Sequence, residues 1–407
     1  MLHSRPKRVN AEDDNGSDLG LGVLPSTTDL ADDPVDINEA RFSEILGCIE
    51  ELIEDHMSFT RRGCPELSRL SHLVPTIGAF FTKLPLREAF VIQNKKRSIA
   101  KRMFVPPSFN DVRFLLNSAQ VISIAGKVKT LTFDGDQTLY DDGKDFGHDS
   151  ALVDILIKLL EKNVAVAVVT AAGYPNEPLK YEKRLTGLLH KFKDSKLTPA
   201  QLSRFYVLGG ECNYLFSYDS EIGHLVSVPE TAYNPPEWST AAYASAINEI
   251  LDVAERHLRK RVKDLDLAGS CMLLRKSRAV GVIPAAGAQL SREQLDELCL
   301  SVQKKVSSYQ DIKALNPSEE PYIHIPFCAF NGGSDAWFDI GNKLIGVKIL
   351  QDLLGCGGDE TLHFGDQFLS TGNDVATRGV CCTAWITSPR ETEEVLAELL
   401  PLLGRAL

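Results

Sequence analysis

Apolar positions become periodic near residue 37. From there Phe42, Ile45, Leu46, Ile49, Leu52, Ile53 and Met57 recur at three- and four-residue steps, the pattern of one helix face. A second helical stretch is expected after Pro75, carrying Ile77, Phe80, Phe81 and Leu84. Together these predict a helical N-terminal region over residues 37–120. Residues 1–36 hold eight acids, three bases and few large apolar groups. Such a segment has too little to bury and reads as a disordered acidic arm.

From residue 128 the period changes to alternating α and β. Residues 128–133 form a short β-rich run that ends in acids. Leu152, Ile155, Leu156, Leu159 and Leu160 then mark a helix within 149–162. Residues 164–169 are continuously apolar, as in a strand buried on both faces. Strand, helix, strand in that order predicts a right-handed parallel unit. Regularity lapses over the next roughly 150 residues, where strand-like 205–208, 279–283 and 320–327 mix with helical 242–260. Alternation returns with a helix over 344–354, strands at 361–364 and 380–386, and a helix over 391–402. The pattern predicts an α/β protein with a parallel-sheet core in two pieces, 121–176 and 331–407. An α+β cap over 177–330 is inserted between them.

Composition narrows the class. The 407 residues include 55 acids and 44 Lys or Arg, for a net charge of −11, which disfavours nucleic-acid binding. No run approaches the roughly 20 apolar residues of a spanning helix. The first residues lack the apolar stretch of a secretory signal, and acids from Glu12 onward argue against a transit peptide. Nine scattered Cys, with no CxxC pair, fit reduced thiols in a cytoplasmic protein. Against the acidic background, Lys95, Lys96, Arg97, Lys101 and Arg102 place five bases within eight positions. That run reads either as a solvated helix face or as an anion or nucleotide site.

Four segments carry candidate chemistry. Asp134-Gly135-Asp136-Gln137-Thr138 follows the first core strand, at the sheet edge where ligands bind. Two carboxylates so spaced suit magnesium, a hard cation that takes oxygen ligands. One is a weak but sufficient nucleophile toward phosphorus, and the other can donate a proton to a leaving alkoxide. A polar turn would look alike. Thr170-Ala171-Ala172-Gly173-Tyr174 follows the second strand, where a hydroxyl and backbone N–H groups can hold phosphate, or merely cap the next segment. Lys343 precedes a helix and reads as a phosphate ligand or a surface lysine. Asp366 ends a later strand, with Asp374 eight residues on, as a third metal ligand or a turn. Acid pair, Thr, Lys and acid occur in that order, each beside a core element, and independent turns would rarely align so.

These residues resemble the haloacid dehalogenase-like phosphotransferase superfamily, whose signature is D-x-D-x-[TV], Ser/Thr, Lys and GD…D on successive core elements. Phe133 to Tyr140, Phe330-Asn331-Gly332-Gly333-Ser334-Asp335, Asp339 to Lys343, Phe364-Gly365-Asp366-Gln367-Phe368 and Pro106-Pro107-Ser108-Phe109 resemble the IMP-specific 5′-nucleotidase family more narrowly, from about residue 40 to the C-terminus. The resemblance implies a Rossmann-like core and magnesium-dependent hydrolysis of IMP to inosine and phosphate. Asp134 is then the nucleophile and Asp136 the proton donor. Magnesium lies on Asp134, the Asp136 carbonyl and Asp366, and phosphate on Thr170 and Lys343. It further implies substrate contacts at Asp142, Gly173, Tyr174 and Asp335, a homotetramer, and ATP activation, for which Lys95, Lys96 and Arg97 are candidate ligands.

The inserted cap would act as a lid, with Tyr214, Phe216, Tyr218 and Trp238 as candidates to stack on the purine. The alternatives are a sugar-phosphate phosphatase or phosphomutase of the same superfamily, a non-catalytic nucleotide sensor or scaffold, and an RNA-binding regulator. The intact acid pair argues against the sensor, and the net charge against the regulator.

Overall fold

A computed structural model describes residues 34–148, 150–175, 177–315 and 322–404. Most of the acidic arm therefore lies outside the described residues. Its last residues already belong to α1 (Pro34–Arg61). Three more helices complete the N-terminal region: α2 (Arg69–Leu73), α3 (Leu86–Arg97) and α4 (Phe109–Ile124). Phe42, Leu46, Leu52 and Met57 pack with Leu86, Phe90 and Ala119, whereas Ile45 and Ile49 stay exposed.

The helix expected after Pro75 is absent. Residues 75–85 are irregular and α3 starts only after Pro85. Pro75, Gly78 and Pro85 break the backbone pattern, while Leu84 and Phe80 still pack inward. Apolar spacing there reflects burial and not helix. α4 opens with a capping box between Ser108 and Asp111, which explains its start at Phe109. It is pinned to the core by the buried Arg113. The Arg113 guanidinium donates to both Glu391 oxygens at 2.7 and 2.8 Å and to the Trp385 carbonyl at 2.7 Å, a bidentate pairing only Arg can make.

The core comprises β1 (Thr130–Phe133), α5 (Ala151–Glu161), β2 (Ala165–Val169), α6 (Pro178–Arg184), α7 (Thr186–Asp194), α8 (Pro199–Leu202), β3 (Phe205–Gly209), β4 (Tyr214–Asp219) and β5 (His224–Ser227). The cap follows as α9 (Ala241–Asp264), β6 (Cys271–Arg275), β7 (Ala279–Pro284), α10 (Arg292–Leu315), β8 (Phe327–Asn331) and β9 (Ala336–Ile340). The chain then returns to the core with α11 (Lys343–Leu354), β10 (Thr361–Gly365), β11 (Cys382–Trp385) and α12 (Pro389–Leu399).

Seven strands form the core sheet in the order β11-β10-β1-β2-β3-β4-β5, parallel from β11 to β3 and antiparallel beyond. Four strands form the cap sheet, β6-β7-β9-β8, covered by α9 and α10. The expected division at 177–330 is therefore corrected at both ends. Residues 178–227 extend the core sheet, because β3 pairs in parallel with β2. Residues 327–340 belong to the cap, because β9 pairs with β7. Apolar runs announce strands but not their partners, and partners decide sheet membership. The strand sought at 320–327 begins only at Phe327, and residues 316–321 lie outside the described residues.

Inside the core sheet, Phe133 and Phe364 stack across β1 and β10 at 4.8 Å. Cys381 and Cys382 are buried packing residues, and all nine Cys are free thiols. Among the described residues no helix is long and apolar enough to cross a membrane.

Candidate active site

β1 lies between β10 and β2, so the residues leaving those three strands emerge side by side on one carboxyl edge. Asp134 leaves β1, Thr170 leaves β2 and Asp366 leaves β10. Lys343 arrives as the first residue of α11, whose N-cap Asn342 accepts from the Ile345 N–H. It is fully buried, with Nζ 2.9 Å from Asp134 Oδ1 and 2.7 Å from Asp374 Oδ1. The surface-lysine reading is excluded by that burial.

Electrostatics follow from the crowding. Burial pushes Asp134 up to about 6 against the pull of Lys343. Burial, with Asp134 and Asp374 nearby, pushes Asp366 up to about 8. Burial would also raise Asp374, but Lys343 and His363 reverse it and hold that carboxyl well below the usual range. Lys343 itself would be lowered by burial, yet its carboxylate neighbours hold it well above its ordinary value. The edge thus carries a compensated ion pair and an acid, Asp366, whose charge has no cation of its own.

Asp374 is hydrogen-bonded through both of its carboxylate oxygens. Its Oδ1 accepts from Lys343 and lies 3.0 Å from His363 Nε2, and its Oδ2 accepts from the Gln367 N–H at 2.9 Å. Both oxygens are engaged, so Asp374 orients Lys343. His363 is in turn held by Thr132 Oγ1 at 2.8 Å.

A hard cation fits here. Oxygens of Asp134, Asp366 and Asp374 lie within 4.8 Å of one another, and Asp366 Oδ1 is buried without a hydrogen-bond partner. An orphaned carboxylate oxygen among acids is the donor set magnesium favours.

Asp136 faces elsewhere. Its Oδ1 accepts from Arg184 Nη2 at 2.6 Å and from the Gly143 N–H at 3.0 Å. Gly135 lets the turn close, since a Cβ there would lie 2.3 Å from Tyr140 Oη. Thr170 is buried, and its Oγ1 accepts from the Ala172 N–H at 3.1 Å. Gly173 lines the space between core and cap. The Tyr174 ring packs edge-on against Tyr181 at 5.2 Å. Asp142 is exposed on the core side, within electrostatic reach of the half-buried Asp335 on the cap.

Of the four stacking candidates, Phe216 and Tyr218 are core residues and Trp238 stacks on Tyr243 in the cap. Tyr214 alone lines the inter-domain cavity. Lys95, Lys96 and Arg97 lie apart, at the end of α3. There Lys96 pairs with Glu398 at 2.6 Å, and Arg97 covers the Phe114 ring near Glu394.

Two residues escaped sequence reading. Arg184 sits at a helix end with no local signal. Glu211 lies in the β3–β4 turn, fully buried, pushed by burial up to about 7, and accepting from Asn373 at 2.8 Å. An acid just past a core strand was its only trace.

A family model for IMP-specific 5′-nucleotidases matches residues 8–396. The chain belongs to the IMP-specific 5′-nucleotidase family. The family member of Neurospora crassa is 42% identical over 422 residues, covering all of this chain and 93% of that protein. The Yarrowia lipolytica member is 42% identical over 367 residues, covering 88% and 84%. An IMP-bound Plasmodium falciparum IMP-nucleotidase matches with a TM-score of 0.79 and 38% identity, covering 90% of this chain and 92% of that one. A structure of the Plasmodium protein described as ATP bound matches at 0.75. The Plasmodium protein thus shares this architecture, and the α/β class with a parallel-sheet core expected from the sequence is the one found.

Proposed function

We propose that this protein hydrolyses IMP to inosine and phosphate by phosphoryl transfer to Asp134, supplying inosine within purine nucleotide metabolism. The observation that carries this is the buried Lys343 bridging Asp134 and Asp374 beside the unpartnered Asp366, on a chain of this family. Lys343 holds Asp134 in place and offers positive charge to an incoming phosphate. Asp134 attacks phosphorus, and the bond from phosphorus to O5′ breaks. Asp136 gives O5′ its proton, then takes one from the water that cleaves the phospho-enzyme. For that, Asp136 must leave Arg184, a rearrangement suited to cap closure. Thr170 would hold phosphate oxygens, with Asp142, Gly173, Tyr174 and Asp335 meeting the nucleoside.

Magnesium would sit on Asp134, Asp366 and the Asp136 carbonyl, where it would neutralise phosphate charge. Its stabilising effect is expected to grow with pH. The folded value of Asp366, about 8, lies above the ordinary value near 4. Between the two the unfolded state holds fewer protons, so metal-free stability falls as pH rises. Magnesium replaces the proton, so it should raise Tm more at about pH 8.5 than at about pH 6. An equal rise at both would show that Asp366 is not its ligand.

ATP activation, tetramer formation and cytoplasmic residence complete the reading. The α3 end offers the ATP phosphates Lys95, Lys96 and Arg97 beside a cavity of about 490 Å³ shared with Glu394 and Glu398. An anion there would displace those carboxylates.

The test is phosphate release from IMP, GMP, AMP, UMP and glucose 6-phosphate, with magnesium, with and without ATP. Preference for IMP, raised by ATP, is expected. Sugar-directed activity would move the substrate but keep the chemistry. No release from any of the five would restore the sensor or scaffold reading.

A further inference from the structure

A second polar site lies between the domains, and the phosphate chemistry does not use it. A cavity of about 230 Å³ is walled by Gly173 and Tyr214 of the core and by Lys276, Arg278 and Asp339 of the cap. That is below the roughly 300–1,000 Å³ of sites that enclose a whole drug-sized ligand, so it suits part of one. Gly173 stands three residues past Thr170, and Asp339 four before Lys343. Both phosphate-binding segments therefore lead directly into its walls.

Two polar groups in this cavity, Asp339 and Lys276, have no hydrogen-bond or ion-pair partner among the described residues. Asp339 is 6% exposed, and its Oδ1 is enclosed with no hydrogen-bond partner. An unpaired buried acceptor is costly and rare in a native protein. Burial and the nearby Glu211 push its carboxyl well above the usual range, and in either protonation state it retains an acceptor. Lys276 extends over the Trp337 ring, Nζ 4.2 Å from the centroid, and forms no ion pair among the described residues. Arg278, by contrast, is already engaged, donating to Asn213 Oδ1 at 2.9 Å. The cavity therefore presents one enclosed acceptor with no hydrogen-bond donor, one exposed cation, Lys276, whose charge already bears on that carboxyl but which holds no ion pair among the described residues, and the Tyr214 ring as an apolar wall.

We propose that Asp339 and Lys276 read the base of a 6-oxopurine nucleotide, Asp339 accepting N1–H and Lys276 donating to O6. This rests on the IMP reading above and extends it to specificity. Adenine lacks both complements: N1 has no proton for Asp339 to accept, and even where a protonated Asp339 donates to that N1, the 6-amino group remains a donor facing the Lys276 ammonium. A polar site left unpaired by the wrong ligand discriminates far more strongly than apolar contact.

The test compares kcat/KM for IMP, AMP and purine riboside 5′-monophosphate, which lacks both O6 and N1–H and adds no bulk. In the wild-type protein the last should fall on the order of 100-fold below IMP. Asp339→Leu, which keeps the size but removes the acceptor, should lower kcat/KM for IMP by about 10- to 100-fold without an equal loss for AMP, so the IMP preference shrinks. Lys276→Met should shift the preference the same way. Wild-type turnover of purine riboside 5′-monophosphate equal to IMP overturns the proposal, even if neither variant folds. So does an unchanged IMP-to-AMP ratio in both variants. Failure of the wild type on IMP itself would overturn the underlying reading and this proposal with it.

Discussion

Asp134→Asn is expected to abolish phosphate release from IMP, with a loss on the order of 10⁴-fold or more. The amide keeps the shape of the side chain but cannot bond to phosphorus as a leaving carboxylate does. Its neighbours predict that the fold survives. Lys343 retains Asp374 at 2.7 Å, and the Gly135 N–H, now 2.7 Å from Asp134 Oδ1, keeps an oxygen to donate to. Burial already resists the charge on Asp134, whose carboxyl stands at about 6. Above that pH a neutral amide removes a buried charge, which offsets the weaker hold on Lys343. The variant should therefore melt near the wild-type temperature while showing no turnover, by parallel Tm and phosphate-release measurements. Near-normal release would remove Asp134 from the nucleophile's role.

Lys343→Met should lose both activity and stability. The methionine fills comparable space but leaves Asp134 and Asp374 buried together without a cation. Removing one partner of a buried ion pair costs about 3–5 kcal/mol, which denaturant titration would read as a lower midpoint. The sign with pH is definite. Lys343 holds Asp374 well below the usual carboxylate range; without it that carboxyl rises and gains a proton as pH falls. Asp134 loses the same cation and rises likewise, so the penalty should be larger at about pH 8 than at about pH 5. Wild-type stability at pH 8 would show that Lys343 is not the cation compensating these acids.

Core strands and the polar residues placed at their ends were legible because both are local. A continuous apolar run such as residues 165–169 can only be a buried strand or helix segment, and its length decides. Asp134, Thr170, Lys343 and Asp366 could be singled out because each follows or precedes such an element. Arg184 and Glu211 could not, because what makes them part of the site is a contact with a residue 48 positions away in one case and 162 in the other. The stretch after Pro75 misled for a related reason. Burial alone can space apolar residues at helical intervals, whereas Pro75, Gly78 and Pro85 set the backbone.

The alternation of strand and helix patterns along the chain was enough to determine the α/β class, and the order of acid pair, Thr, Lys and acid was enough to point to the 5′-nucleotidase family. Those depend on short-range spacing, written directly in residue types. Tertiary structure alone decided where the cap begins and ends, because strands join a sheet through backbone hydrogen bonds that no side-chain pattern specifies. It also decided that Asp374 serves Lys343 and that Asp339 faces a cavity without a partner. Gly341 shows how closely that packing is set: its φ of +90° and the Glu211 carbonyl, 2.5 Å from where a Cβ would lie, leave no room for another residue where cap rejoins core. Charge, burial and hydrogen bonding at such points arise only when distant segments meet.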